Sequence, residues 1–347
     1  MADLKLLEKL CTAMAVSGDE GEVRQIVLNE IKGHADQVKV DALGNVLATR
    51  AGSGHNRLKV MLAAHMDEIG FMLAADDGEG IFRFETVGGI DVRQLPGKSV
   101  IVGKEHLPGV IGARPIHLVK DEELKNKIPL ESLRIDLGLG SAKVKPGERA
   151  TFAPRFQRTG PSVIAKSLDN RLGVAALIEM VKSAPPNIDL LAAFTVQEEI
   201  GLRGARVAAY ALDPDLAIVM DATPANDLPA WDGEENTSYN TKLGLGPAIY
   251  VADGATLSDP RLVRHLITTA EAESLPYQLR QPGGGGTDAG AIHKQRAGIP
   301  SVSVSAPHRY SHTAASVTRL EDWKNYIALI HAALKRITPE ILDLERL

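Results

Sequence analysis

Cysteine occurs once in this chain of 347 residues, at Cys11, so no intramolecular disulfide can staple it and no cysteine-based zinc site can form. The expected role of Cys11 is a small buried apolar group on the first helix. Lysine and arginine form no basic run, and the formal net charge is −5. That balance argues against nucleic acid or an anionic membrane as the main partner. No apolar stretch is long enough to span a bilayer. The opening residues, MADLKLLEKLCTAMAVSGDE, mix charges into a helical pattern and lack the uninterrupted core of a signal peptide, so a cytoplasmic location is expected. Aromatic residues make up only 4%, which is poor material for a cleft that stacks sugars. The Gly-x-Ser-x-Gly elbow of many serine hydrolases is missing. The glycine-rich QPGGGGTDAGA lacks the Gly-Lys-Ser/Thr ending with which a phosphate loop handles phosphate and magnesium.

What is present is ordinary globular material, 44% hydrophobic and 24% charged, at a length that supports one large domain and a second module. Leu4, Leu7, Leu10 and Met14 keep helical spacing, and a second helix restarts after Ser17-Gly18. VKVDALGNVLATRAG reads as a hairpin around Leu43-Gly44, and LKVMLAAHMDE as a central strand covered on both faces. From about Gly70 to Gly160 the texture changes to short β-rich pieces between Gly, Pro and charged turns, with KDEELKNK the one candidate helix. From Ser162 strands and helices alternate to the final helix LEDWKNYIALIHAALKRI. Such alternation implies an α/β sheet with helices on both faces. The architecture expected is therefore an α/β domain, residues 1–69 and 161–347, interrupted by a β-rich module at 70–160.

Acidic residues and histidines recur where strands give out. His65 and Asp67 lie two apart in AAHMDE; Asp169 precedes a helix in SLDNRLG; Glu198 and Glu199 follow the strand IDLLAAFTVQ; Asp221 closes the strand of IVMDATP; His308 and His312 follow PSVSVSA. If the strand continued through Glu198 and Glu199, the two side chains would point to opposite faces, each needing its own partner. Taken singly, these are the residues of turns and helix caps. Taken together, they gather at the carboxyl ends of strands, where open α/β sheets bind ligands. Histidine nitrogens mixed with carboxylate oxygens suit zinc or cobalt. Paired acids also fit a glycoside hydrolase, but that reading leaves His65 and His312 idle. A third reading, a non-catalytic assembly protein that keeps the fold, leaves the whole set idle.

The ordered set His-x-Asp, Leu-Asp-Asn-Arg, Gln-Glu-Glu-x-Gly-x-x-Gly, Met-Asp-Ala and Arg-Tyr-x-His resembles family 42 of the metallopeptidases, the tetrahedral (TET) dinuclear aminopeptidases, along nearly the whole chain. The resemblance implies a mixed sheet of the phosphorylase/hydrolase type with an inserted small β-barrel-like module that builds a homo-oligomer, a tetrahedral dodecamer. It implies two divalent metal ions per subunit, zinc or cobalt, and hydrolysis of short peptides with a free amino terminus. It would place His65 and Asp221 on one metal, Glu199 and His312 on the other, and Asp169 between them. Glu198 would be the general base and Asp67 the residue that orients His65. A cis peptide between Asp169 and Asn170 is implied as well. One departure is visible: Ser316 stands where the family commonly has Glu.

Overall fold

A computed structural model describes residues 3–120, 125–138, 144–237, 239–281 and 284–345. The KDEELKNK segment falls partly outside the described residues. Two amino-terminal helices, α1 (Leu4–Thr12) and α2 (Gly21–Glu30), precede a hairpin of β1 (Gln37–Val40) and β2 (Val46–Arg50). Asp41 makes that turn by accepting the backbone N–H groups of Leu43, Gly44 and Asn45, as a short acidic side chain can at a turn. The chain then enters β3 (Leu58–His65), a near-continuous apolar run buried along almost its whole length.

The carboxyl-terminal part supplies β10 (Phe156–Thr159), β11 (Ser162–Ala165), α3 (Leu168–Lys182), β12 (Ile188–Thr195), α4 (Arg203–Leu212) and β13 (Leu216–Pro224). It continues through β14 (Ala248–Ile249), α5 (Pro260–Ala272), β15 (Gln278–Leu279), α6 (Ala289–Ile292), β16 (Ser301–Arg309), β17 (Ser316–Arg319) and α7 (Leu320–Arg336). The main sheet runs β1-β2-β12-β3-β13-β16-β17-β11-β10. Its centre, β12, β3, β13 and β16, is parallel, and the flanking strands are antiparallel. This is a mixed α/β sheet. Parallel strands buried on both faces read as unbroken apolar runs, which is why the sequence marks them clearly. One face packs on α1, α3 and α7 in a core that includes Leu10, Leu177, Trp323 and Leu334; the other packs on α4 and α6 in a core that includes Ala208 and Ile292. Full burial of each large apolar side chain contributes about 1.5–3 kcal/mol.

Between β3 and β10 the chain makes β4 (Gly70–Gly78), β5 (Ile81–Val87), β6 (Ser99–Val102), β7 (Leu107–Gly112), β8 (Arg134–Asp136) and β9 (Arg149–Phe152). These close into an antiparallel barrel in the order β4-β5-β8-β7-β6-β9. The barrel has its own core, in which Phe71 meets Phe84 and Phe152 edge to face at 5.3 Å each. Strand β10, although it lies before Gly160, pairs with β11 in the main sheet.

The start of α3 is irregular in a way that matters for the site. The Asp169–Asn170 peptide is cis, and Asp169 and Asn170 both have non-helical backbone angles. The regular helix begins after Asn170, whose side-chain oxygen accepts the N–H of Gly173 at 3.0 Å, the role of an N-cap. Its amide donates to the Met220 carbonyl at 2.8 Å, and the backbone of Gly173 lies so close to that carbonyl that a side chain there would collide with it. Arg171, fully buried, donates to the carbonyls of Met66 (2.5 Å) and Leu10 (3.1 Å). Asn170 thus ties α3 to β13, and Arg171 ties it to the segment after β3.

Candidate metal centre

His65 is the last residue of β3, and its Nδ1 lies 3.1 Å from the Asp67 carbonyl. A carbonyl only accepts, so Nδ1 carries a proton and Nε2 is the nitrogen left to meet a cation. That Nε2 faces Asp169 Oδ1 at 3.2 Å and Asp221 Oδ1 at 3.4 Å. His312, in the turn after β16, repeats the arrangement. Its Nδ1 donates to the Gly89 carbonyl at 2.8 Å, and its Nε2 faces Glu199 Oε2 at 3.3 Å and Asp169 Oδ2 at 3.6 Å. Two imidazole nitrogens set against carboxylates call for positive charge between them, a proton or a bound cation.

Two donor groups result, His65–Asp169–Asp221 and Asp169–Glu199–His312, each with one atom per residue within 4.8 Å of the others. Asp169 belongs to both, offering one oxygen to each histidine. Burial pushes the pKa of Glu198, Glu199 and Asp221 up, and each is pushed further by neighbouring carboxylates. Burial opposes charge on the histidines, but contact with Asp169 and Glu199 prevails and raises His312 to about 11. Clustered carboxylates at the edge of a sheet, with imidazoles held in one tautomer by backbone carbonyls, are a fitting donor set for divalent cations.

The strand does not continue through the glutamate pair. Strand β12 ends at Thr195, and Gln197 has a left-handed φ of +57°. Glu198 and Glu199 therefore sit in a turn, and both line one cleft instead of opposite faces of a strand. Asp67, completely buried, holds that turn by accepting the N–H of Glu198 (3.0 Å) and of Glu199 (3.2 Å). It also accepts from the Ser17 hydroxyl at 2.6 Å. Its carboxylate lies 3.5 Å from His65 Nδ1, farther than its own carbonyl, so the backbone of Asp67 orients the imidazole at least as directly as its side chain. Asp221 lies inside β13, which continues three residues to Pro224, so it is not the last residue of the strand.

His308 belongs to β16, is fully buried, and among the described residues has no partner for either ring nitrogen; it joins neither donor group. Ser316 donates to the Tyr310 carbonyl at 3.0 Å, joining the two ends of the turn that carries His312. Contacts that sequence reading missed come from far along the chain. Gly89 and Gln94 belong to the barrel-bearing segment, and Gln94 donates to the His312 carbonyl at 2.8 Å. Lys166 and Arg171 both pair with Glu68 behind the site. Only the double glycine of FETVGG, which lets backbone approach closely, was a usable signal. The cleft encloses about 690 Å³, within the range of small-ligand sites.

A mixed α/β sheet whose strand ends gather histidine and carboxylate donors around an open cleft is the frame of a metal-dependent hydrolase. The model of the M42 glutamyl aminopeptidase family matches residues 44–329, and the chain belongs to that family of metal-dependent aminopeptidases. It is 38% identical to a putative aminopeptidase of Acetivibrio thermocellus over 335 residues, covering 95% of this chain and 97% of the relative. It is 33% identical to the lysyl aminopeptidase of Pyrococcus furiosus, covering 98% and 99%. Among solved structures it superposes on the TET1 peptidase of Pyrococcus horikoshii with a TM-score of 0.84 at 34% identity, covering 96% of this chain and 99% of that one. That peptidase can assemble into a tetrahedron or a large octahedral shell. Among the described residues no helix is long and apolar enough to cross a membrane.

Proposed function

We propose that this enzyme removes single residues from the amino termini of short peptides, using two divalent cations, zinc or cobalt. His65 and Asp221 would hold one, Glu199 and His312 the other, and Asp169 would serve both. The observation that carries this reading is the sharing of Asp169 between two donor groups, one oxygen toward each histidine. Cations bound there supply Lewis acidity: they polarise the scissile carbonyl, acidify water and favour the charge that develops on oxygen.

The chain's own part centres on Glu198. It lines the cleft, and burial among carboxylates raises its pKa, which strengthens its hold on a proton, as a general base needs. Glu198 takes the proton of the attacking water and returns it to the leaving amine. Asp67 fixes the turn that carries Glu198, and the Gly89 carbonyl keeps His312 in the tautomer that leaves Nε2 free.

Self-association belongs to the same proposal. Residues 70–160 are taken as the oligomerisation module, and the partner is a second copy of the chain in a tetrahedral dodecamer. That stretch exposes Ile116 (74%) and Leu118 (61%), apolar side chains that a monomer leaves in water. A cytoplasmic location fits the single cysteine, which is free and buried.

The test is a ten-residue peptide followed by time-resolved mass spectrometry with added zinc or cobalt. A ladder of amino-terminal losses is expected, and the acetylated peptide should resist by orders of magnitude. A free amine can act as a ligand and align the scissile carbonyl, whereas an acetamide nitrogen cannot. Internal cleavage, or equal rates on the two peptides, would overturn the proposal.

A further inference from the structure

Family membership leaves open which first residue is preferred, since the family carries a glutamyl name and a relative is a lysyl aminopeptidase. One side chain in the cleft bears on that choice. Arg280 is 7% exposed, lines the same cavity as Glu198 and Asp221, and comes from the chain immediately after β15. Its Nη2 donates to the Gly284 carbonyl at 3.0 Å, and its guanidinium lies 4.7 Å from the centre of the Tyr250 ring. Among the described residues its Nε and Nη1, both buried, have no hydrogen-bond partner, and no carboxylate pairs with it. A buried guanidinium without an anion is costly, because its hydration is lost and nothing replaces it. The other arginines with little exposure are satisfied: Arg171 reaches Glu68 and two carbonyls, and Arg261 pairs with Asp259.

The position is also held deliberately. Tyr250 is 3% exposed, and burial pushes its phenol up to about 12, so its ring is a neutral shelf under the guanidinium. Gly284, Gly285 and Gly286 line the cavity beside it and carry no side chain into it. The matching ligand is a planar anion, and a carboxylate takes two parallel N–H bonds from such a fork.

We propose that Arg280 is a specificity-determining residue that receives the side-chain carboxylate of an acidic first residue, aspartate or glutamate, in the cleft. This deepens the aminopeptidase reading and rests on it for the nature of the substrate. A peptide has carboxylates in two places, its acidic side chains and its carboxyl terminus. The terminal group reaches a fixed point in the cleft only in peptides of one length, whereas the first side chain is presented there in peptides of every length.

The test uses the metal-loaded full-length enzyme, wild type and the variants R280M and R280K, with coumarin amides of Glu, Gln and Leu, which have no terminal carboxylate. The wild type should prefer Glu over its neutral isostere Gln by about ten- to a hundred-fold in kcat/KM, the range expected of hydrogen bonds to a charged group. R280M should bring the Glu-to-Gln ratio to about one, and R280K should retain part of it, as a charge without the fork does. Calorimetric binding of free glutamate against glutamine gives the same ratio without turnover. Preference for glutamate that disappears in R280M supports the proposal even if no coumarin amide is cleaved, an outcome that would instead sink the aminopeptidase reading. A wild-type ratio near one, or a ratio unchanged in R280M, overturns the role of Arg280. Ala-Ala against Ala-Ala amide assigns the terminus: a preference for the free acid that R280M abolishes would place the peptide's end there and overturn the side-chain assignment.

Discussion

The carboxylate of Asp67 accepts the backbone N–H of Glu198 at 3.0 Å, so the end of one central strand holds the turn that follows its neighbour. Asp67→Asn replaces one accepting oxygen with an amide that can only donate, and so opposes the N–H of Glu198 or Glu199. Loss of such a supporting group is expected to lower kcat/KM or metal affinity by about 10–100-fold. Ser17→Ala removes one neutral donor to the same carboxylate and should cost much less. Steady-state kinetics with metal analysis by plasma emission checks both; Asp67→Asn within twofold of wild type would refute the role given to it.

Glu198 and Glu199 are adjacent but are expected to fail in different ways. Glu198→Gln should retain both cations and lose turnover by about 10²–10⁴-fold, the contribution usual for a general base. Glu199→Gln should bind metal more weakly, and turnover should recover in part when excess zinc or cobalt is supplied. Metal titration of the two variants distinguishes the roles. The reverse pattern would exchange them.

Behind the site, Glu68 is buried with Lys166 at 2.7 Å and Arg171 at 3.2 Å. Burial acts to raise its pKa, but the two positive charges prevail and hold it below the ordinary value of 4.5. A depressed folded-state pKa adds stability above the unfolded value, and that stability is lost as pH falls through the folded one. Glu68→Gln should therefore destabilise the enzyme by about 3–5 kcal/mol at pH 7, because two cationic groups lose their anion. The gap between wild type and variant should begin to narrow as pH falls below 4.5 and close once pH passes the depressed folded-state value, where Glu68 itself becomes neutral. Denaturant melts at pH 7 and pH 4 read this directly, and a gap that widened in acid would contradict it.

The barrel-bearing segment is expected to serve assembly and the site separately. Ile116→Asp with Leu118→Asp should reduce particle mass in light scattering, since a charge would then face any copy packed there. Gln94→Ala should leave particle mass unchanged but loosen His312, whose carbonyl Gln94 holds at 2.8 Å. A drop of about tenfold in affinity for the more weakly held cation is expected from the loss of one supporting bond. Unchanged mass in the double variant would remove residues 116 and 118 from the interface.

The central strands and the donors at their ends were legible because burial on both faces leaves β3, β12 and β13 almost purely apolar, so an acid or a histidine stands out. The helix of SLDNRLG was legible, but not that Asn170 and Arg171 pin it to two different elements. Gln94 and Arg280 were illegible for a different reason. Each is an ordinary residue type in a loop, made significant only by what a distant segment brings beside it. At Glu198–Glu199 the alternation of a strand does not apply, because a left-handed Gln197 puts both residues in a turn, which residue types alone did not decide.

The donors assigned to the two cations are scattered along the chain, from His65 on β3 to His312 after β16, with the whole barrel made between the first of them and Asp169. During synthesis, the second donor group cannot exist until His312 has left the ribosome, after the barrel and all the central strands have been made. On the proposed assignment, a growing chain that ends before His312 lacks the second donor group and with it the peptidase activity. Unfinished copies are therefore harmless to the free amino termini emerging beside them.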